Sequence, residues 1–261
     1  MDLEQLRDQL SAIDRQILEL VAERQRLSGD IGALKRATGR PTRDFGREKQ
    51  VLDRARALAG SLGVSSALAE SLLSLLIRSS LANQEQARVR AEGQGSGKPA
   101  LVIGGSGKMG RWFTEFLQSQ GFSVTVADPA GPVPGFPHAA DWRDTADEFA
   151  VTVVSAPIPL TGGILHDLGA RQRRGLIFDI GSLKTPFIPE LKALCNRGLR
   201  VTSVHPMFGP DTELLSGRHV LFLDVGCPDA TTEAAQLFAS TMAAQIRMDI
   251  EEHDRLIAYV L

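Results

Sequence analysis

The sequence predicts an α + α/β chain, with an N-terminal all-helical bundle followed by a doubly wound, mostly parallel sheet. Three observations carry this. Residues 1–90 are rich in Arg and Leu and repeat their apolar side chains at helical spacing. Residues 99–261 alternate short β-branched runs with helical patterns. Between them, residues 91–98 (AEGQGSGK) read as a flexible Gly/Ser/Gln linker. The expected division is a helical domain at 1–90, a linker at 91–98 and an α/β domain at 99–261.

In the first region apolar residues recur at Leu3, Leu6, Leu10, Ile13, Ile17, Leu20, Leu27, Ile31 and Leu34, spaced three and four apart. This is a heptad seam, broken once by Arg24. At ~1.5 Å per residue it makes a helix on the order of 50 Å long. Such a seam cannot be buried within 90 residues of its own chain, so a homodimer through the N-terminal helices is expected. Gly39, Arg40 and Pro41 end the helix. A second helix is expected over 44–59, and a third from Ser65 or Ser66 to about Arg88.

Arg24 stands at a core position of the seam, with Arg7 and Lys35 flanking it. Alone, an in-seam arginine sets register or reaches to water. Taken with Arg47 and the uncharged donors Ser80 and Gln84, it reads as one wall of a cavity for a multiply charged anion.

In the second region, ALVIGGSGKMG runs from an apolar strand into Gly105-x-Gly107-x-x-Gly110 and an amphipathic helix. A strand SVTVAD follows and ends in Asp128, 21 residues after Gly107. In this setting the glycines admit a pyrophosphate at the helix N-terminus, and the acid binds ribose hydroxyls while repelling a 2′-phosphate. NAD is the expected cofactor, held by Gly105, Gly107, Lys108, Met109, Gly110 and Asp128. Further strands are expected at 152–158, 175–182, 199–206 and 219–225. Ser182 and His205 fall at neighbouring strand ends, where ligands of such sheets bind, so His205 is a candidate general base.

The bulk numbers exclude several classes. Net charge is −2, with 15 Lys/Arg against 12 Asp/Glu in residues 1–90 and 14 against 19 in the rest. Neither half has the concentrated basic face of a nucleic-acid or membrane-surface protein. No apolar run reaches the ~18 residues of a membrane span, and the N-terminus lacks a signal-peptide core, so a cytoplasmic protein is expected. Cys195 and Cys227 show no metal or disulfide-framework spacing and read as small structural hydrophobes. No metal is expected.

The run LRDQLSAIDRQILELVAER, then Lys35, RPTRDFGRE and SSLANQ, resembles the all-helical chorismate mutases over residues 1–90. That resemblance implies an intertwined dimer that rearranges chorismate to prephenate. Arg7 (from across the dimer), Arg24 and Arg47 would hold the two carboxylates or help close the pocket. Lys35 and Gln84 would donate to the ether oxygen, and Asp44, Glu48 and Ser80 would line the pocket. GGSGKMG, APIPLT, DIGSLKT and HPMFGPDT, in that order, resemble the prephenate dehydrogenases. By that resemblance the fold is Rossmann-type, His205 draws the proton from the ring hydroxyl, and Ser182 orients His205. Asp254 resembles an acid that pairs with a substrate-binding arginine farther along. His138, His166 and His219 read as ordinary surface or turn residues, and His253 has no role assigned.

Together the two resemblances imply a bifunctional chorismate mutase/prephenate dehydrogenase. Rivals remain at this level: a binding role in which residues 1–90 merely dimerise the chain, a chorismate mutase only with a non-catalytic NAD-binding remnant, and a hydroxyacid-type dehydrogenase with a helical dimerisation module. Dehydrogenases of the resembled family continue into a helical dimerisation domain, whereas this sequence closes on HDRLIAYVL inside an apolar helical pattern. The expectation is a truncated chain with mutase activity and weak or no dehydrogenase activity.

Overall fold

A computed structural model describes residues 2–146 and 148–258. Its contacts divide the chain into two compact units, 1–87 and 88–261.

The first unit is three helices. Helix α1 (Leu3–Ala37) starts on a capping box, in which the Asp2 carboxylate accepts from Gln5 N–H and the Gln5 side chain accepts from Asp2 N–H. Helix α2 (Phe45–Ser61) is capped by Asp44, whose carboxylate accepts from Arg47 N–H at 2.9 Å. Helix α3 spans Ser66–Ala91, so the boundary between units falls inside it. The apolar seam of α1 is uncovered within one chain: its nine leucines and isoleucines are 47–66% exposed.

The second unit holds a sheet of order β3-β2-β1-β4-β5-β6-β7-β8. Strands β1 (Pro99–Ile103), β2 (Ser123–Ala127), β3 (His138–Ala139), β4 (Glu148–Val154), β5 (Arg174–Asp179) and β6 (Arg200–Met207) all run parallel. Strand β7 (His219–Asp224) is antiparallel to β6, and β8 (Ala244–Asp249) is parallel to β7. Each central strand is buried on both sides. Val102, Val153, Phe178 and Val204 pack towards Phe113 and Leu117 of α4 (Lys108–Ser119) and towards Ala234 of α7 (Pro228–Gln236). Leu101, Ile177 and Val201 pack towards Leu165 of α5 (Ile158–Ala170) and Leu191 of α6 (Ile188–Asn196). The chain turns outward in opposite directions from β1, towards β2 and towards β4, and this switch point creates the crevice at the strands' carboxyl ends.

Three expectations require correction. The stretch 91–98 is not a free linker. Gly95 N–H donates to Gln120 O (2.9 Å), Gly97 N–H to Gly121 O (2.8 Å) and the Gln94 side chain to Gln236 O (3.2 Å), so it is laid against the α/β unit. Cys195 and Cys227 are not merely small hydrophobes, because a disulfide joins them from the end of α6 to the start of α7. The strand expected over 152–158 ends at Val154, since α5 begins at Ile158. Strands β3 and β8, which the sequence pattern did not announce, complete the sheet's edges.

Candidate functional site

On the helical unit the half-buried Arg24 guanidinium donates to Leu76 O (3.1 Å) and to Ser80 Oγ (2.9 Å). Both partners are uncharged, and burial lowers the pKa of the guanidinium. Ser80 is buried, and its hydroxyl donates to Gln25 Oε1. One turn on, the buried Gln84 donates to Ser28 O and Oγ, while its Oε1 has no hydrogen-bond partner among the described residues. A Cβ on Gly32 would lie 2.7 Å from Gln84 Cγ, so the absence of a side chain there lets α3 approach α1. Lys35 Nζ donates to Thr42 O at 2.7 Å, again an uncharged partner. Lys35, Ile31, Leu34, Arg40, Arg43 and Phe45 line part of a cavity of about 610 Å³.

The remaining residues expected in this pocket are distributed unevenly. Glu48 takes a bidentate bond from Arg43 (2.9 Å for each pair), and Asp44 is the cap of α2. Arg47 is exposed and reaches Gln50. Arg7 lies 17 positions before Arg24 on α1, about 25 Å along the axis, so the two cannot meet within one chain.

In the α/β unit the loop between β1 and α4 carries the glycines. Gly104 has φ +80°, and a Cβ on Gly110 would sit 2.1 Å from Gly104 O, so the turn closes only with glycine. Gly107 caps α4 with no side chain, leaving the helix's first N–H groups free for an anion. Lys108 and Met109 open the helix. The Asp128 carboxylate accepts Ser106 N–H (3.0 Å) on one oxygen and Ala130 N–H (2.8 Å) on the other. Each oxygen retains a lone pair for a ribose hydroxyl. These residues fit the pyrophosphate and ribose of a dinucleotide. Lys108, Arg111, Trp112, Pro210 and Asp211 line part of a cavity of about 340 Å³ beside the loop. Trp112 Nε1 donates to Thr212 O at 3.0 Å, tying α4 to the loop that follows β6.

His205 is buried near the end of β6. Its Nδ1 lies 2.8 Å from Nε2 of His253, on α8 (Ile250–Ile257), and His253 Nδ1 lies 2.6 Å from Asp254 Oδ1. Burial, then the Lys184 ammonium, then His253 push the His205 pKa down to about 4, against a smaller opposing pull from Asp254. Burial likewise lowers His253. For Asp254 burial acts upward, but bonds from the Thr185 hydroxyl, Thr185 N–H, His253 and Lys184 N–H outweigh it and hold the carboxyl at about 2. Lys184 is fully buried. Its Nζ donates to Asp179 Oδ2 (2.7 Å) and to Val204 O (2.9 Å), and burial lowers its pKa despite Asp179. Ser182 is exposed and makes no hydrogen bond to His205. The contact expected of it belongs instead to His253. His138 Nε2 meets Asp128 O at 2.9 Å, a turn contact.

Fold and geometry define the class: a helical module with an anion-ready face, joined to a Rossmann-type module with a dinucleotide loop and a neutral buried histidine. The chorismate mutase type II family matches residues 6–85, and the prephenate dehydrogenase nucleotide-binding domain matches 135–241. The T-protein of Enterobacter agglomerans is 28% identical over 99% of this chain and 67% of its own length, and that of Haemophilus influenzae 27% over 99% and 66%. The chain thus spans about two thirds of the length of these relatives. A crystal structure of Aquifex aeolicus prephenate dehydrogenase with hydroxyphenyl propionate and NAD⁺ shares the fold, at TM-score 0.51, 17% identity and 61% and 63% coverage of the two chains. Over nearly its whole length the chain is similar to these T-proteins, and it carries the chorismate mutase type II and prephenate dehydrogenase nucleotide-binding matches in that order.

Proposed function

We propose that the helical unit rearranges chorismate to prephenate and that the α/β unit oxidatively decarboxylates prephenate to 4-hydroxyphenylpyruvate, using NAD⁺. The observation that carries the reading is the pair of cations on α1, Arg24 and Lys35, each bonded, among the described residues, only to uncharged oxygens. A half-buried guanidinium and an ammonium so placed favour a dianion between them. A pericyclic rearrangement needs a compact conformer and donors aimed at the oxygen that gains charge. We assign Lys35 and Gln84 to that oxygen and Arg24 to a carboxylate, with Arg47 and Arg7 closing the site, Arg7 from across a dimer. Ser80 orients Arg24. Asp44 and Glu48 shape the wall, one by capping α2 and the other by holding Arg43. The uncovered seam of α1 supports the homodimer.

In the second reaction bound NAD⁺ supplies the hydride acceptor. The glycine loop, the first N–H groups of α4 and Asp128 hold the dinucleotide, and a neutral His205 receives the proton of the ring hydroxyl. Loss of CO₂ then aromatises the ring. Among the described residues no helix is long and apolar enough to cross a membrane. We assign the chain to the cytoplasm, where a Cys195–Cys227 bond would be unusual. Thiol counting on freshly lysed cells tests that assignment.

The activities are tested by supplying chorismate, then prephenate with NAD⁺, to the full chain. Prephenate formation and NADH absorbance are the expected results. No prephenate from chorismate overturns the first assignment, and no NADH from prephenate overturns the second.

A further inference from the structure

The structure assigns to His253 the role of positioning His205 and fixing which of its ring nitrogens is free to take a proton. The inference rests on the reading of His205 as the base. It starts from the carboxylate at the far end. Asp254 accepts Lys184 N–H at 2.9 and 3.0 Å on its two oxygens, Thr185 N–H at 2.7 Å and the Thr185 hydroxyl at 2.5 Å. With its pKa held near 2 it is ionised at neutral pH and can only accept. The ring nitrogen 2.6 Å away, His253 Nδ1, must therefore carry a proton.

The consequence propagates along the chain of rings. Burial keeps His253 neutral, so with Nδ1 protonated its Nε2 is a lone pair. That lone pair lies 2.8 Å from His205 Nδ1, which can bond to it only as N–H. His205 is also neutral, so its Nε2 is the bare nitrogen. The charged groups around it agree. The Lys184 ammonium lies on the side of β5, paired with Asp179, and the Asp254 carboxylate lies on α8 beyond His253. Neither replaces His253 as the partner of Nδ1. A base with its lone pair on Nε2, and its other nitrogen anchored, is what proton abstraction at a fixed position requires. In serine proteases, losing the equivalent tautomer control costs about 10⁴-fold in kcat.

The test is a nitrogen–proton long-range correlation spectrum of the full chain labelled with ¹⁵N-histidine, which needs no turnover. In the wild type His205 is expected as the Nδ1–H tautomer with a bare Nε2. His253→Leu removes the acceptor and shifts His205 towards the Nε2–H form. His253→Gln, whose Oε1 can accept from Nδ1–H, retains the original tautomer. In parallel, dehydrogenation by His253→Leu falls about 10²-fold or more in kcat, with KM for prephenate little changed and partial rescue in His253→Gln. An Nε2–H tautomer in the wild type, or an unchanged tautomer in a folded His253→Leu chain, overturns the assignment. If His253→Leu does not fold, the wild-type spectrum and the Gln variant decide. A chain that shows the expected tautomer but makes no NADH from prephenate refutes the dehydrogenase reading, not the positioning.

Discussion

In the helical unit the nine seam residues of α1 stand 47–66% exposed, whereas in the α/β unit Val102, Val153 and Val204 are fully buried. Before residue 88, the buried apolar side chains among the described residues are Ala59, Leu81 and Ala82. After it, two clusters fill both faces of the sheet. The two units were built under different constraints. A doubly wound sheet closes its core within one chain, because helices cover both faces. A 35-residue helix with a heptad seam cannot do so, and its stability depends on what lies against it. The chemistry follows the same division: the helical unit presents cations on an open face, while the α/β unit joins two buried histidines, a lysine and two carboxylates in a connected network.

The largest expected effect tests this contrast directly. Ile17→Asp places a charge in the middle of the seam. Burying an isoleucine stabilises by roughly 1.5–3 kcal/mol, and a two-fold interface counts it twice, so dimerisation weakens by about 3–6 kcal/mol. That corresponds to about 10²–10⁴-fold in the dissociation constant, read by sedimentation velocity. Unfolding of the α/β unit, followed by Trp112 and Trp142, which both lie in it, is expected to stay independent of protein concentration. A dimer unaffected by Ile17→Asp breaks the comparison.

Next comes Lys35→Ala, which separates catalysis from mere association. Removing one donor to a developing oxyanion costs about 10²–10³-fold in kcat. Formation of prephenate from chorismate should fall by that factor while the dimer and NAD⁺ binding persist. Full activity would show that Lys35 serves only to hold Thr42 O.

In the α/β unit the corresponding intrachain constraint is the disulfide. Cys195 and Cys227 close a loop of 32 residues. Chain-entropy arguments give such a bridge about 3–4 kcal/mol. Cys195→Ser, or thorough reduction, is expected to lower the denaturant midpoint of tryptophan fluorescence without moving the helical unit's circular dichroism at fixed concentration. No change in that midpoint contradicts the bridge.

The legibility of the sequence divides along the same line. The α1 seam, the glycine loop and the strand ends at Asp128 and His205 were legible because local periodicity and turn chemistry encode them. The partner of His205 was not, since 48 residues separate it from His253 and only the pairing of β6 with antiparallel β7, and of β7 with β8, brings α8 beside β6. The disulfide was hidden for the same reason: a pair 32 apart matches no spacing rule, and it forms where two helices end and begin beside adjacent strands. Strand β8 was hidden differently. AQIRMD is an edge strand with largely exposed side chains, so burial wrote no pattern into it. The stretch 91–98 has the composition of a linker, yet backbone bonds hold it down, and composition does not report those.

The smallest effect is a pH dependence confined to one unit. All five histidines lie at or after residue 138, so the helical unit has none. His205 has its pKa pushed down to about 4 in the folded chain, against about 6.5 when unfolded. Between these values the unfolded chain binds a proton that the folded one refuses. Stability is therefore complete above pH 6.5 and is lost as pH falls towards 4, by on the order of 3 kcal/mol. The lowered His253 adds in the same direction. Asp254, depressed to about 2, loses its contribution only below its unfolded value near 3.8, in a separate and lower window. Denaturant titrations at pH 7 and pH 5, followed by tryptophan fluorescence, should show the loss in the α/β unit. His205→Asn should abolish most of it. Equal losses in both units between pH 7 and 5 would mean that the surface carboxylates, and not the buried histidines, set the acid response.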